Sequence, residues 1–158
     1  MTTFVAALYF LFGATMYVGT MWVLKWFLFP TWHGLTRENV AVHFGVPTRR
    51  ATTFFTWVVP PMFVAAIVLV VTEAGTGWVW FGVLCLVGIV VLTFVGQGII
   101  IPINRRIRGG DLVDDAELTA LLRRWMLLND VRFYGSTLTW ATIVTYVVAR
   151  GDLLGALT

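Results

Sequence analysis

WVWFGVLCLVGIVVLTFVGQGIII, residues 78–101, is an uninterrupted stretch without a charged side chain, closed by Pro102 and then by Asn104-Arg105-Arg106. About 20 mostly apolar residues in an α-helix cross the hydrocarbon core of a bilayer. A lone strand of the same composition would leave its backbone groups unpaired in lipid. The stretch therefore predicts a transmembrane helix, and three others stand around it. One covers residues 4–29 and is stopped by Pro30; a second covers 51–72; the last has an apolar core at 133–149. Glu73–Gly77 is a short, glycine-bearing connection, so the second and third spans should be antiparallel neighbours.

The last core is near the lower length limit, so its helix should begin earlier. Asp114, with Glu117 three residues on, has the form of a capping box. Leu118, Leu121, Leu122, Trp125 and Leu128 then recur at spacings of three and four, one helical stripe. The expectation is a single helix from about Asp115 to Ala149, amphipathic first and membrane-spanning later, with Gly135 as a point where it can break. The fold class is all-α: an integral membrane four-helix transmembrane bundle whose fourth helix is extended by an amphipathic cytoplasmic segment. With no internal repeat or linker, residues 1–158 form a single transmembrane domain.

Composition agrees with this class. Of 158 residues, 59% are hydrophobic and 12% charged, against about 45–50% and about 25% in soluble domains. A disordered chain, a nucleic-acid module and an ordinary cytosolic enzyme are excluded. The formal charge of +3 reflects basic loops at one membrane face. No Lys or Arg precedes Lys25, and the first apolar run is too long for a signal-peptide core, so it reads as a retained helix. Cys85 is the one cysteine and lies in an apolar run, which points to a buried structural thiol.

Orientation follows from the basic residues. With the N-terminus outside, ten of the 11 Lys and Arg fall on the inner side and only Arg150 lies outside. The positive-inside rule then places both termini outside and both large loops in the cytoplasm of an inner (plasma) membrane. Trp22, Trp26, Trp32, Trp57 and Trp125 fall toward the inner interface and Trp78 and Trp80 toward the outer one, as in an aromatic belt.

Polar side chains at membrane depth are costly and face a bundle interior or a cavity. Trp125, Asn129 and Arg132, at i, i+4 and i+7, share a helical face, and Asn104 follows Pro102 at the end of the third span. A carboxamide and a guanidinium converging there can hold an anionic, phenolic or carbonyl oxygen. Alternatively, Arg132 snorkels or pairs with Asp130, and Asn104 caps a helix end. Gln97, in Gly96-Gln97-Gly98, can bond a bound ring or bridge two helices at a close crossing. His33 and His43, in the first inner loop, are candidate catalytic bases; ten residues apart with no third ligand, they make a poor metal signature. Lys25 reads as a snorkelling anchor, and Pro60-Pro61 should kink the second helix or make it start late. No nucleotide loop or nucleophile elbow is present, no cofactor is expected, and no acid lies deep in a span, which argues against a proton-coupled transporter.

Phe12-Gly13-Ala14, Trp26-Phe27-Leu28-Phe29-Pro30, the Pro-containing second helix, Ile101-Pro102-Ile103-Asn104-Arg105-Arg106 and Arg124-Trp125-x3-Asn129-x2-Arg132 occur in this order. Together they resemble the anthrone-oxygenase-like family of small four-helix membrane proteins, whose bacterial members are mostly of unknown function. The resemblance implies oxidation of an anthrone by molecular oxygen, through deprotonation of an electron-rich phenol. It further implies Asn104, Asn129 and Arg132 as oxyanion donors, Trp125 stacked on a flat ring, and His33 or His43 as base.

Two main functional readings follow. One is a cofactor-independent oxygenase, or a binder, of a lipophilic aromatic or quinone-like compound at the inner leaflet. The other is a non-enzymatic membrane scaffold or accessory subunit. Membrane lipids, a lipophilic small molecule, a second copy of the chain and a partner membrane subunit are the expected partners, and nucleic acid is not.

Overall fold

The computed structural model describes residues 1–110 and 112–151, which form helices joined by short turns, with no strand among them. Three helical stretches are long and apolar enough to cross a membrane: α1 (Thr2–Trp32), α2 (Ala41–Thr72) and α3 (Val79–Gly109). A further helix, α4 (Asp115–Ala149), is continuous over 35 residues. Helix α1 packs against α2 and α4, and α3 packs against the same two. The carboxyl terminus, expected on the outer side, lies outside the described residues.

The start of α4 follows from its sequence. The side chain of Asp114, in extended backbone, accepts from the N–H of Glu117 at 2.7 Å, which satisfies one orphan donor of the first turn. Glu117 reaches back to the N–H of Val113 (2.9 Å) and holds Arg106 (2.9 Å). The Val113 hydrogen bond first, and Arg106 second, hold the Glu117 carboxyl below its usual range.

Several expectations are corrected. The helix does not break at Gly135. Helix α2 does not start late: its α-helical part runs from Val46 to Thr72 through Pro60 and Pro61, both exposed. The histidine loop is short, because helix resumes at Ala41. Trp32 and Trp125 are not belt residues: each is 2% exposed.

Helices α1, α2 and α3 each contain a π-helical turn, at Leu24–Leu28, Ala41–Gly45 and Val95–Ile100. Each turn ends two residues before a proline: Pro30, Pro47 and Pro102. Proline has no N–H for the carbonyl four residues back, and its ring crowds that carbonyl. The wider π turn relieves the crowding by letting the carbonyls bond one residue further on.

The interior divides by depth. A cluster toward the α2–α3 connection packs Phe10, Met62, Leu69, Ile89, Ile143 and Tyr146, while one toward the opposite end packs Trp32, Phe44, Ile100, Ile107, Leu118 and Trp125. Glycines set the spacing of the half nearer that connection: Gly82 lies against the backbone of Leu69 and Val70, and Gly88 against the side chain of Thr139. The connection is tied by buried Glu73, which accepts from Tyr146 (2.6 Å) and Arg150 (3.0 Å). The exterior is apolar, with Phe12, Phe54, Val64, Ile67, Leu84, Phe94 and Leu138 exposed.

Candidate functional site

Beside the cluster of Trp32, Ile100 and Trp125 lies a cavity of about 170 Å³. Asn104, Trp125, Asn129, Arg132 and Gln97 all line it, together with Met21, Leu24 and Leu28 of α1 and Thr48, Thr52 and Phe55 of α2. The π turns bear directly on its walls. Leu24 and Leu28 come from the first, Pro47 and Thr48 follow the second, and Gly96, Gln97 and Ile100 come from the third.

The polar wall is a chain of hydrogen bonds. The Trp125 indole N–H donates to Asn104 Oδ1 at 2.7 Å. An indole N–H is a donor only, which assigns that oxygen as the acceptor and leaves the Asn104 amide nitrogen as a donor. Asn129 donates to the carbonyl of Trp125 (2.8 Å) and accepts from Arg132 Nη1 (2.8 Å). Arg132 also gives Nε (2.9 Å) and Nη2 (2.6 Å) to the hydroxyl of Tyr17. The guanidinium lies beside Gly96.

Arg132 does not pair with Asp130. That carboxylate accepts from Lys25 at 2.6 Å, so Lys25 is half of an ion pair, beside the rings of Phe133 and Tyr134. The other ion pairs among the described residues are Arg37–Asp115, Arg106–Glu117 and Arg150–Glu73. Arg132 thus has no carboxylate partner among the described residues. Asn104 does not cap a helix end; it sits inside the last α-helical segment of α3 and is 4% exposed.

Trp125 is held edge-on by Phe29, Trp32 and Phe44, with ring centroids 5.9, 5.2 and 5.2 Å away. It serves as a wall and a hydrogen-bond donor more than as an open stacking face. Gln97 is exposed at the cavity lip and makes no hydrogen bond with a described residue.

The histidines are placed elsewhere. Both are exposed, and neither lines this cavity. His33 borders a separate cleft of about 350 Å³ with Thr119, Arg123 and Asp130. His43 lies in the second π turn, where its backbone carbonyl accepts from the Trp32 indole. Among the described residues, no group of three or more His, Cys, Asp or Glu is placed to hold a metal ion.

Tyr17 is the residue that sequence reasoning missed. It lies 115 positions from Arg132, and no local pattern joins them. Its one signal is a phenol at mid-length in an apolar helix, where a hydroxyl needs a partner.

Comparison with protein-family models, with curated proteins and with solved structures finds no match to this chain. The functional reading therefore rests on the site.

Proposed function

We propose that this chain is a four-helix protein of the inner membrane, N-terminus outside, whose inner-leaflet cavity binds a lipophilic ring compound by an oxygen atom. The activity proposed is cofactor-independent oxygenation, as in the anthrone-oxygenase-like family it resembles. The carrying observation is that Asn104, Trp125, Asn129, Arg132 and Gln97 line one largely apolar cavity, with a guanidinium that no described carboxylate neutralises. Preorganised donors of this kind stabilise an oxyanion as charge develops. A phenol with a free para position and one O₂ would yield a quinone and one water, with the phenolate oxygen held at Arg132 during electron transfer to oxygen.

Membrane insertion is supported by the apolar exterior and by the basic inner loops. For α4 as a fourth span, the support is chemical. Thr137, Thr139 and Thr142 donate back to the carbonyls of Phe133, Gly135 and Leu138 at 2.8–2.9 Å. Their hydroxyl donors are satisfied within the helix, which lowers the cost of placing them in lipid.

The test is oxygen consumption by the purified protein with a phenol and with a hydroquinone, against Arg132→Ala. Uptake above that variant supports the enzyme. A second reading, a non-enzymatic scaffold or accessory subunit, draws on the self-contained network: no buried side-chain N or O among the described residues lacks a partner. Equal rates in the two proteins favour it.

A further inference from the structure

We propose that this cavity, taken as the ligand site argued above, accepts a one-ring phenol and holds it as the phenolate, with the oxyanion on the spare N–H groups of Arg132.

The size argument comes first. A volume of about 170 Å³ is close to the roughly 150 Å³ of an apolar cavity that takes up benzene. One substituted ring fills it. Three fused rings do not fit without displacing the wall formed by Trp32 and Trp125, which is locked by its own edge-on contacts.

The donor count comes second. A guanidinium has five N–H groups. Three are used, two on Tyr17 and one on Asn129, leaving one on each Nη. The amide nitrogen of Asn104 donates to no described group. Behind Asn104, Arg108 donates to its backbone carbonyl at 3.1 Å and adds a second positive charge nearby. The threonines of the wall are self-satisfied: Thr20, Thr48 and Thr52 each donate to a backbone carbonyl three or four residues back. The polar side of the cavity therefore offers donors to an acceptor.

The third point is the absence of a base. The described lining contains no Asp, Glu, His, Lys or Cys. A neutral phenol would leave the guanidinium without an anion in an apolar cavity, whereas a phenolate meets its spare N–H groups and its uncompensated charge. Ionisation precedes entry: the phenol O–H gives its proton to water at the mouth, and the anion moves in. Nothing within the cavity has to take up a proton.

The probe is 4-nitrophenol, whose anion is coloured and whose electron-poor ring resists oxidation. Its bound fraction is titrated by absorbance in vesicles with and without the purified protein. The expected result is an acid midpoint at least about one pH unit lower when bound, since each unit is about a tenfold preference for the anion. Arg132→Gln should abolish the shift, Arg132→Lys should keep part of it, and Arg105→Gln, outside the cavity, should keep all of it. 4-Nitroanisole, the same ring without an ionisable oxygen, should bind at least about tenfold more weakly, and 1-hydroxyanthracene should fail to displace the probe. The inference is overturned by a wild-type midpoint that is unmoved or raised, by no saturable binding, or by equal binding of nitroanisole. Displacement by the three-ring phenol equally overturns it. The wild-type titration decides even if Arg132→Gln does not fold. Oxygen uptake without the shift sinks this inference and leaves the proposed activity standing; the shift without uptake does the reverse.

Discussion

Asn104 and Trp125 illustrate how a single buried hydrogen bond organises the site. Among the described residues the indole N–H is the one partner of Asn104 Oδ1, and Asn104 is nearly enclosed. Trp125→Phe keeps most of the ring volume and removes the donor, leaving a buried acceptor unpaired at a cost of about 1–3 kcal/mol. Gln97→Leu, at an exposed carboxamide without a partner, should change stability by no more than about 0.5 kcal/mol. Denaturation of both variants in detergent checks this, and equal losses would deny the hydrogen bond its role. Asn104, Asn129 and Arg132 were legible as a group because two share a helical face and the third follows a proline at the same depth. The partner of Arg132 was not, because a local reading offers Asp130, two residues away, and not Tyr17, 115 positions away. Lys25 takes the carboxylate, and the guanidinium is left to the phenol.

Within the helices, the prolines at positions 30, 47 and 102 have a consequence that hydropathy does not carry. They widen the preceding turn into a π segment, and the extra residue in that turn rotates the side chains beyond it by about 100° relative to a regular α-helix. Asn104, beyond the third of these turns, lines the cavity. Glycines control a different property, the approach of α2 to α3. A Cβ built on Gly82 comes within 2.9 Å of the Val70 backbone nitrogen, while one on Gly19 meets nothing within 4 Å. Gly82→Ala should therefore destabilise by about 1–3 kcal/mol through overpacking. Gly19→Ala should be neutral or stabilise by up to about 1 kcal/mol from helix propensity. Thermal unfolding of the two variants is the comparison, and similar melting temperatures would contradict a tight α2–α3 crossing.

For the whole molecule, charge placement makes a directional prediction. Cys85 is the one cysteine and is buried, so engineered cysteines report cleanly. Ala74→Cys, in the connection between α2 and α3, should react with an impermeant maleimide on intact cells. Arg50→Cys should react only after permeabilisation. The reverse pattern would overturn the N-out orientation, and labelling of both sites on intact cells would overturn the span between them.

The sequence by itself determined the helices, their apolar lengths, the Asp114 cap and the segregation of basic residues, because each depends on neighbours within a few residues along the chain. It also singled out Gln97, Asn104, Trp125, Asn129 and Arg132, though not the threonines that line the same cavity. Only the tertiary structure decided that they meet, that Tyr17 joins them, that Trp32 and Trp125 form a buried wall instead of an interfacial belt, and that His33 and His43 stand apart. Those outcomes depend on how four helices cross and on how three π turns rotate their inner ends. Contacts of that kind join residues up to 115 positions apart, and no local periodicity encodes them.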